Sequence, residues 1–498
     1  MKKNIIKTAI LSLSLLLGSC SEWLDVTPPS QIREEAQFSS IDGFQQALIG
    51  CYIAMTDDLL YGRALTWSTI ELMAGQFVTL QASSNNDYSI SQYNYTSSNA
   101  IKYIDGVWGK SYNVISNVNN ALKYIEINKN ILDHVNYSVI KGELLAIRAF
   151  MHFDLMRLYG LGNLKSRANL ASKFAVPYVT TLDKDMTPQL TYKQTIDLMT
   201  EDLNTALQLL QIDPVTKLHP ASYYTEVNID GFFNNRQNRF NYYATSLLLA
   251  KVYMWEGSSE SISKALTLAN KVIDESESKG LTSWATSTSV TDDIVMKSEH
   301  LMSLNTQNLT LRTADYFKLE IIAASDIKAQ YVSNNRIMSV YEAETIGNTD
   351  FRFSKLFIPN SVTLDGKNAF TPLKFFGSAG GNKISTNYIP LMRMPEAYYI
   401  ASECMIKKST PDLSGALNLL NIVRQKRGIT TDLTTTDANV LMNEIVKEYA
   451  KEFYCEGAMF FLYKRLGVES IPGYNGTASD AIYVLPYPSA ELQMGRNQ

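Results

Sequence analysis

Apolar residues recur at close to every 3.6 positions over long stretches at both ends of the chain, a spacing that predicts amphipathic helices. The predicted helices cover 40–58, 64–78, 104–127, 137–160, 191–211, 239–256, 260–275, 391–407, 412–427 and 438–465. Between 278 and 388 the pattern breaks down: Ser, Thr, Asn and Gly rise, and the regular pieces are short and strand-like, as at 300–304 and 353–358. A second irregular stretch, 79–103, is rich in Ser, Asn and Tyr.

The helical part carries an internal repeat. Residues 250–272, AKVYMWEGSSESISKALTLANKV, align without gaps with 401–423, ASECMIKKSTPDLSGALNLLNIV. Ala250/Ala401, Met254/Met405, Ser263/Ser414, Ala265/Ala416, Leu266/Leu417, Leu268/Leu419, Asn270/Asn421 and Val272/Val423 coincide. Each copy reads as a helix, a polar turn and a second helix, with small residues where two helices must approach. Such units bury their apolar faces by stacking on neighbours, the grammar of tetratricopeptide-like solenoids. The fold expected is mainly α, a helical solenoid with a loop-rich excursion packed against it. Its repeats run over about 104–277 and 390–466, its excursion over about 278–388. Binding function commonly sits on such loops, which a rigid frame holds in place.

The N-terminus changes the picture of location. Lys2, Lys3 and Lys7 precede a short apolar run at 10–17, far below the ~20 residues a bilayer span needs. The run ends in Leu17-Gly18-Ser19-Cys20, a lipoprotein signal pattern that makes 1–19 a signal peptide and Cys20 the lipid attachment site. Removing 1–19 takes away three lysines and moves the net charge from −4 to −7. An acidic chain without a basic block gives a phosphate backbone nothing to grip, which excludes nucleic acid as a partner. Cys51, Cys404 and Cys455 lack metal-ligand or CxxC spacing and read as buried free thiols.

Several segments together resemble the SusD/RagB family, outer-membrane nutrient-binding lipoproteins of Bacteroidetes. Early on, Cys20 is followed by Leu24-Asp25 and Pro28, then Phe38, Phe44, Ala47, Gly50 and Tyr52. Trp108, Tyr112, Ile115 and Asn119-Asn120 come next, then Ala146-Ile147-Arg148-Ala149-Phe150 running to Tyr159-Gly160. Met392 through Glu403 resembles the family's Arg–x–x–Glu–x–Tyr helix, and Leu417 to Gly428 its Leu–Asn–x–x–Arg–x–Arg–x–Gly helix. Glu448, Glu452, Glu456-Gly457 and Arg465 follow its penultimate signature, and Leu485-Pro486-Tyr487-Pro488 its tail. Gln76 departs, standing where many members carry an acidic residue. The resemblance implies one SusD-like domain over 20–498, built on tetratricopeptide-like repeats. It also implies a lipid-anchored protein on the outward face of the outer membrane. Such a protein captures oligosaccharide and delivers it, as a lid, to a SusC-like TonB-dependent transporter. Peptide capture is the alternative within the family, and a surface glycoside hydrolase a more distant one.

The candidate chemistry fits binding better than catalysis. His134, His152, His219 and His300 show no metal-ligand spacing, and no Gly-x-Ser-x-Gly elbow or phosphate loop is present. No cofactor or metal is expected. Glu444, Glu448, Glu452 and Glu456 recur every four residues, the spacing of a solvated or salt-bridged stripe and so a structural use. Sugar rings pack their C–H faces on Trp and Tyr while polar side chains meet their hydroxyls. The stretch 79–103 offers Asn85, Asn86, Asp87, Tyr88, Gln92, Tyr93, Asn94 and Tyr95; the excursion offers Trp284, Arg312, Asp315, Tyr316 and Phe317. From these, Tyr88 and Trp284 are the leading ligand contacts, with Asn86, Asp87, Tyr93, Tyr95, Arg312 and Tyr316 around them. Trp67, Trp108 and Trp255 lie in helical patterns and read as frame packing.

Overall fold

A computed structural model of the chain describes residues 34–79, 86–183, 185–318, 328–364, 366–376 and 387–498. The signal segment, Cys20 and Asn85 lie outside the described residues. Helices α1 (Ile41–Met55), α2 (Thr69–Met73) and α3 (Asn86–Ser91) precede a frame of longer ones. The frame comprises α4 (Ser98–Ile127), α5 (His134–Tyr159), α6 (Tyr192–Leu209), α7 (Tyr242–Glu256) and α8 (Ser259–Ser276). After α9 (Asn334–Tyr341), within the excursion, it continues with α10 (Met394–Lys407), α11 (Leu413–Lys426), α12 (Ala438–Glu452) and α13 (Met459–Leu466).

Packing runs in sequence order, α4 on α5, α5 on α6, α6 on α7, α7 on α8, α8 across to α10, then α10 on α11 and α11 on α12. That is a tetratricopeptide-like stack. The two repeat copies become the hairpins α7–α8 and α10–α11, joined through the contact of α8 with α10. Their small residues Ala250, Ala265, Ala401 and Ala416 are all fully buried. The turns differ. Gly257 ends α7 in the left-handed region and Ser258 at once caps α8 by accepting from Ser261 N–H. In the second copy α11 begins later, after Pro411, with Asp412 accepting from Gly415 N–H. Local caps set other boundaries: the Asp133 carboxylate starts α5, and Thr191 with Gln194 forms a reciprocal capping box on α6.

The periodicity misplaces several boundaries, among them the start of α4 at Ser98 instead of 104, and the stretch 79–103 expected to be irregular holds α3 as well. Of the predicted helix 64–78 only Thr69–Met73 is helical. Side chains there satisfy turns instead, with Trp67 Nε1 donating to the Gly62 carbonyl and Thr66 Oγ1 to that of Tyr61. The predicted helix 438–465 is two, because Cys455 and Gly457 take left-handed backbone between α12 and α13. A Cβ on Gly457 would lie 2.3 Å from the Leu65 carbonyl oxygen, so the break is locked by packing. Residues 388–393 are strand, and α10 starts at Met394 with Pro395 in its first turn, where no N–H is missed. The predicted strand 353–358 is mostly the helix Phe351–Leu356, capped by Asp350.

Among the described residues, three two-stranded antiparallel sheets organise the excursion and its junctions. They pair β1 (Val78–Thr79) with β3 (Gln330–Tyr331), β2 (His300–Asn305) with β6 (Tyr388–Arg393), and β4 (Phe357–Leu364) with β5 (Lys367–Pro372). In the first, Val78 faces Tyr331 and Thr79 faces Gln330. One large apolar core runs through the frame and under the excursion, with Trp67, Trp108 and Trp255 all buried in it. Cys51, Cys404 and Cys455 are free and buried.

The glutamate stripe of α12 turns inward and is salt-bridged. Glu452 accepts from Arg352 Nη1 (2.7 Å), Arg393 Nη1 (2.7 Å), Arg427 Nε (2.9 Å) and Arg427 Nη2 (2.8 Å). Glu448 pairs with Arg352, Arg424 and Lys451, and Glu456 with Lys374 and Arg393. Glu299, also buried, closes the set against Arg393 and Arg427. Arg352, Lys374 and Glu299 belong to the excursion, so this network fastens the excursion to the frame. The surrounding guanidinium groups hold the Glu448 carboxyl down to about 2, against the cost of burial, and Glu452 well below the ordinary range.

Candidate functional site

Where the end of α2 runs into β1, the pairing of β1 with β3 brings the start of α9 alongside it. α3 closes a third side and the turn at Pro472, Gly473 and Tyr474 a fourth. Between them lies a partly open cavity of about 240 Å³. Phe77, Tyr88, Tyr93 and Tyr474 supply its rings, and Gln76, Ser91, Gln92, Ser333 and Arg336 its polar groups. Gly75 permits the close approach: it has φ of +64°, and a Cβ there would meet the Pro472 carbonyl oxygen at 1.9 Å.

The aromatic side of the cavity is held by contacts behind it. The Tyr93 hydroxyl donates to the Met73 carbonyl at 2.7 Å, and its ring meets Tyr474 edge-on at 5.0 Å. Burial pushes that hydroxyl's pKa up. Tyr88 is half-exposed, and its side chain has no hydrogen bond or ring contact among the described residues. It is a ring presented to the cavity and not spent on the fold.

The polar side is built on Gln76, only 1% exposed. Its carbonyl accepts from the Tyr454 hydroxyl, and its side-chain Oε1 accepts from Arg336 Nη2 at 3.0 Å. Arginine has no acceptor, so the amide must turn its oxygen to Arg336 and its NH₂ away. That Nε2 and Arg336 Nε are both closed to water without a hydrogen-bond partner. Arg336 itself is placed by the cap of α9, where the Ser333 hydroxyl accepts from Arg336 N–H. Behind this wall, burial raises the Glu71 carboxyl to about 8 although its Oε1 accepts from Gly457 N–H at 2.6 Å.

The residues expected from sequence fall into several groups. Tyr88 and Tyr93 line the cavity. Asp87, next to Tyr88, turns to Arg63, whose Nη1 lies 3.1 Å from Asp87 Oδ2. The Arg63 guanidinium carbon lies 5.7 Å from the Tyr316 ring centre, and Tyr316 packs edge-on against Trp67 at 5.2 Å. Arg312 donates to the Thr56 carbonyl at 3.1 Å and faces Asp58 at 3.4 Å. Tyr316 and Arg312 tie the 56–69 turns to the excursion, Asp87 ties them to α3, and none of the three lines the cavity. Tyr95 is buried, its hydroxyl donating to the Ile482 carbonyl. Asn86 opens α3, and its side chain lies outside what is described. Trp284 is elsewhere. It packs edge-on against Tyr398 of α10 at 5.3 Å, with the Arg427 guanidinium carbon 5.3 Å from its ring centre. The structure therefore does not bring Trp284 together with Tyr88.

Sequence reasoning missed Arg336 and Tyr474, and noted Gln76 only as a departure. No local signal marks Arg336, because the β1–β3 pairing that delivers it joins segments some 250 positions apart. Tyr474 follows a Pro-Gly turn, a signal that flags a loop but not a site. A larger groove of about 570 Å³ lies on the frame between α6 and α8. Two of its lining lysines are paired within their own helices, Lys193 with Asp197 and Lys264 with Glu260. Among the described residues no group of His, Cys, Asp and Glu could hold a metal ion, and no helix is long and apolar enough to cross a membrane.

Comparison with known proteins agrees with this architecture. A family described as starch-binding and associating with the outer membrane matches residues 22–225, and the SusD family matches 339–495. Two SusD-like proteins of Formosa agariphila are 26% identical over 213 residues and 25% identical over 160. Those alignments take in 42% and 32% of this chain, and span only 38% and 30% of the relatives' own length. Among solved structures, a SusD superfamily protein from Bacteroides vulgatus superposes with a TM-score of 0.71 at 21% identity. That superposition covers 92% of this chain and 97% of the other. Surface glycan-binding protein A from Bacteroides thetaiotaomicron, in complex with laminarihexaose, gives a TM-score of 0.68 at 16% identity, covering 92% and 98%. At these identities the likeness shows the fold.

Proposed function

The chain belongs to the SusD/RagB family, and from that premise we propose that it is a binding protein which captures oligosaccharide in the Tyr88–Arg336 cavity. It acts at the outer membrane, held by lipid on Cys20, and passes its ligand as a lid to a SusC-like TonB-dependent transporter. The observation that carries the ligand reading is Tyr88, a ring left without packing duties in a cavity that also holds Phe77, Tyr93 and Tyr474 and the polar side chains of Gln76, Gln92 and Arg336. A sugar needs that combination, an apolar ring face with polar groups at its edge. A glycosidase needs two carboxylates about 5–10 Å apart, and the described lining contributes none.

The test is affinity electrophoresis and calorimetry against a glycan panel. Tyr88→Ala should weaken retention about tenfold, ~1.4 kcal/mol, with little change in melting temperature, and Tyr474→Ala should weaken it likewise while also lowering the melting temperature through the lost contact with Tyr93. Trp284→Ala is the control: it should lower the melting temperature by loosening the contact with Tyr398 and Arg427, and leave retention as it was. Undiminished retention in the Tyr88→Ala, Tyr474→Ala double variant would remove the cavity from the site. Retention of peptides in place of glycans would replace the ligand and keep the cavity.

A further inference from the structure

We propose that this cavity selects glycans carrying a carboxylate, that is, uronic acid units, and that Arg336 is the residue that does so. The inference rests on the reading of the cavity as the glycan site. Arg336 is the only ionised side chain among the described residues that line it; none of them is Asp or Glu. Its position is unusual within the molecule too. Each of the other described arginines has a carboxylate within 4.0 Å: Arg63, Arg148, Arg157, Arg167 and Arg236, then Arg239, Arg312, Arg352 and Arg393, and Arg424, Arg427, Arg465 and Arg496. Arg336 has instead the neutral amide of Gln76.

The chemistry of that exception points to an anion. A guanidinium half-withdrawn from water is stabilised by an opposite charge, and a planar carboxylate fits its fork of donors. Gln76 accepts one hydrogen bond but contributes no charge. Gln76 Nε2 and Arg336 Nε are buried donors without a hydrogen-bond partner, so nothing on this wall offsets the guanidinium charge. Arg336 without a carboxylate partner, and no Asp or Glu in the described lining, give this wall a positive charge although the chain as a whole is acidic. A glutamate at position 76 would pair with Arg336 and cancel that field. The glutamine leaves it for the ligand, while the tyrosines hold the sugar ring.

The test uses the mature chain and oligosaccharides of galacturonate, of mannuronate and guluronate, and of glucuronate. Each is paired with its own carboxyl-reduced, neutral form. The expected result is retention of at least one uronate, falling roughly tenfold on carboxyl reduction. Arg336→Gln should remove that preference. So should Gln76→Glu, which leaves the arginine in place and supplies an internal counter-ion, with circular dichroism confirming the fold of both variants. Equal binding of each acid and its reduced form, or no retention of any uronate, overturns the proposal. Retention of a sulfated galactan with no uronate bound overturns the carboxylate assignment. None of these outcomes touches the site itself, which fails separately if the tyrosine double variant still retains its glycan.

Discussion

Replacing Glu452 by Gln removes one negative charge and almost no volume from the point where three buried arginines meet. Four charge-assisted hydrogen bonds end on this carboxylate, from Arg352, Arg393 and Arg427. At ~1.5–3 kcal/mol each they would sum to roughly 6–12 kcal/mol, but such bonds are not additive. The three arginines also keep other partners: Asp350 and Glu448 for Arg352, Glu299 and Glu456 for Arg393, Glu299 for Arg427. The better guide is the cost of breaking a buried pair while leaving its partner charged, about 3–5 kcal/mol. Urea unfolding is the assay, since guanidinium would add ions of its own. The urea midpoint should fall, and 0.5 M salt should not restore it, because these charges are shielded from screening. The acid limb tests the same reasoning. Carboxylates held down in the fold contribute stability that is present above their ordinary pKa of about 4.5 and lost as pH falls toward 2. Glu452 is likewise held well below the ordinary range, so Glu452→Gln should flatten the loss of stability on the acid side of about 4.5. A destabilisation below about 1 kcal/mol, or an unchanged acid limb, would show that the network is not what fastens the excursion to the frame.

Two further outcomes are expected. Glu71 is the opposite case. Burial raises its carboxyl to about 8, so the fold favours the protonated form, and its contribution is full below about 4.5 and lost as pH rises toward 8. Glu71→Gln stays neutral throughout, so between pH 5 and 8 the wild type should lose stability relative to the variant, by up to ~1.4 kcal/mol per pH unit. A pH-independent difference between the two would contradict the buried neutral acid. Cys20→Ala should leave the protein unlipidated and released into the soluble fraction; persistent membrane attachment of that variant would remove the anchor.

The stack of helices was legible along the chain because its signal is local and repeated. Helix period, caps such as Asp133, and the two matching hairpins each occupy a few consecutive residues, and stacking follows from the apolar faces they share. The boundaries that failed did so where tertiary packing overrode period: Gly457 against Leu65, and the 388–393 segment drawn into strand by 300–305. The glutamates of α12 were legible as a salt-bridged stripe, but not as a buried one, since their partners come from four separate segments. For the site the balance reverses. Composition marked 79–103 as rich in rings and polar groups, and from it Tyr88 and Tyr93 reached the cavity. Which of the other rings joined them depended on packing: Tyr95 went into the core, Trp284 onto α10, and Tyr474 arrived from near the C-terminus. What the sequence determined by itself is the frame, because helices and their stacking are written in neighbouring residues. Only the tertiary structure decided that Gln76, Arg336 and Tyr474 share one cavity, because residues hundreds of positions apart leave no mark on one another until the chain has folded.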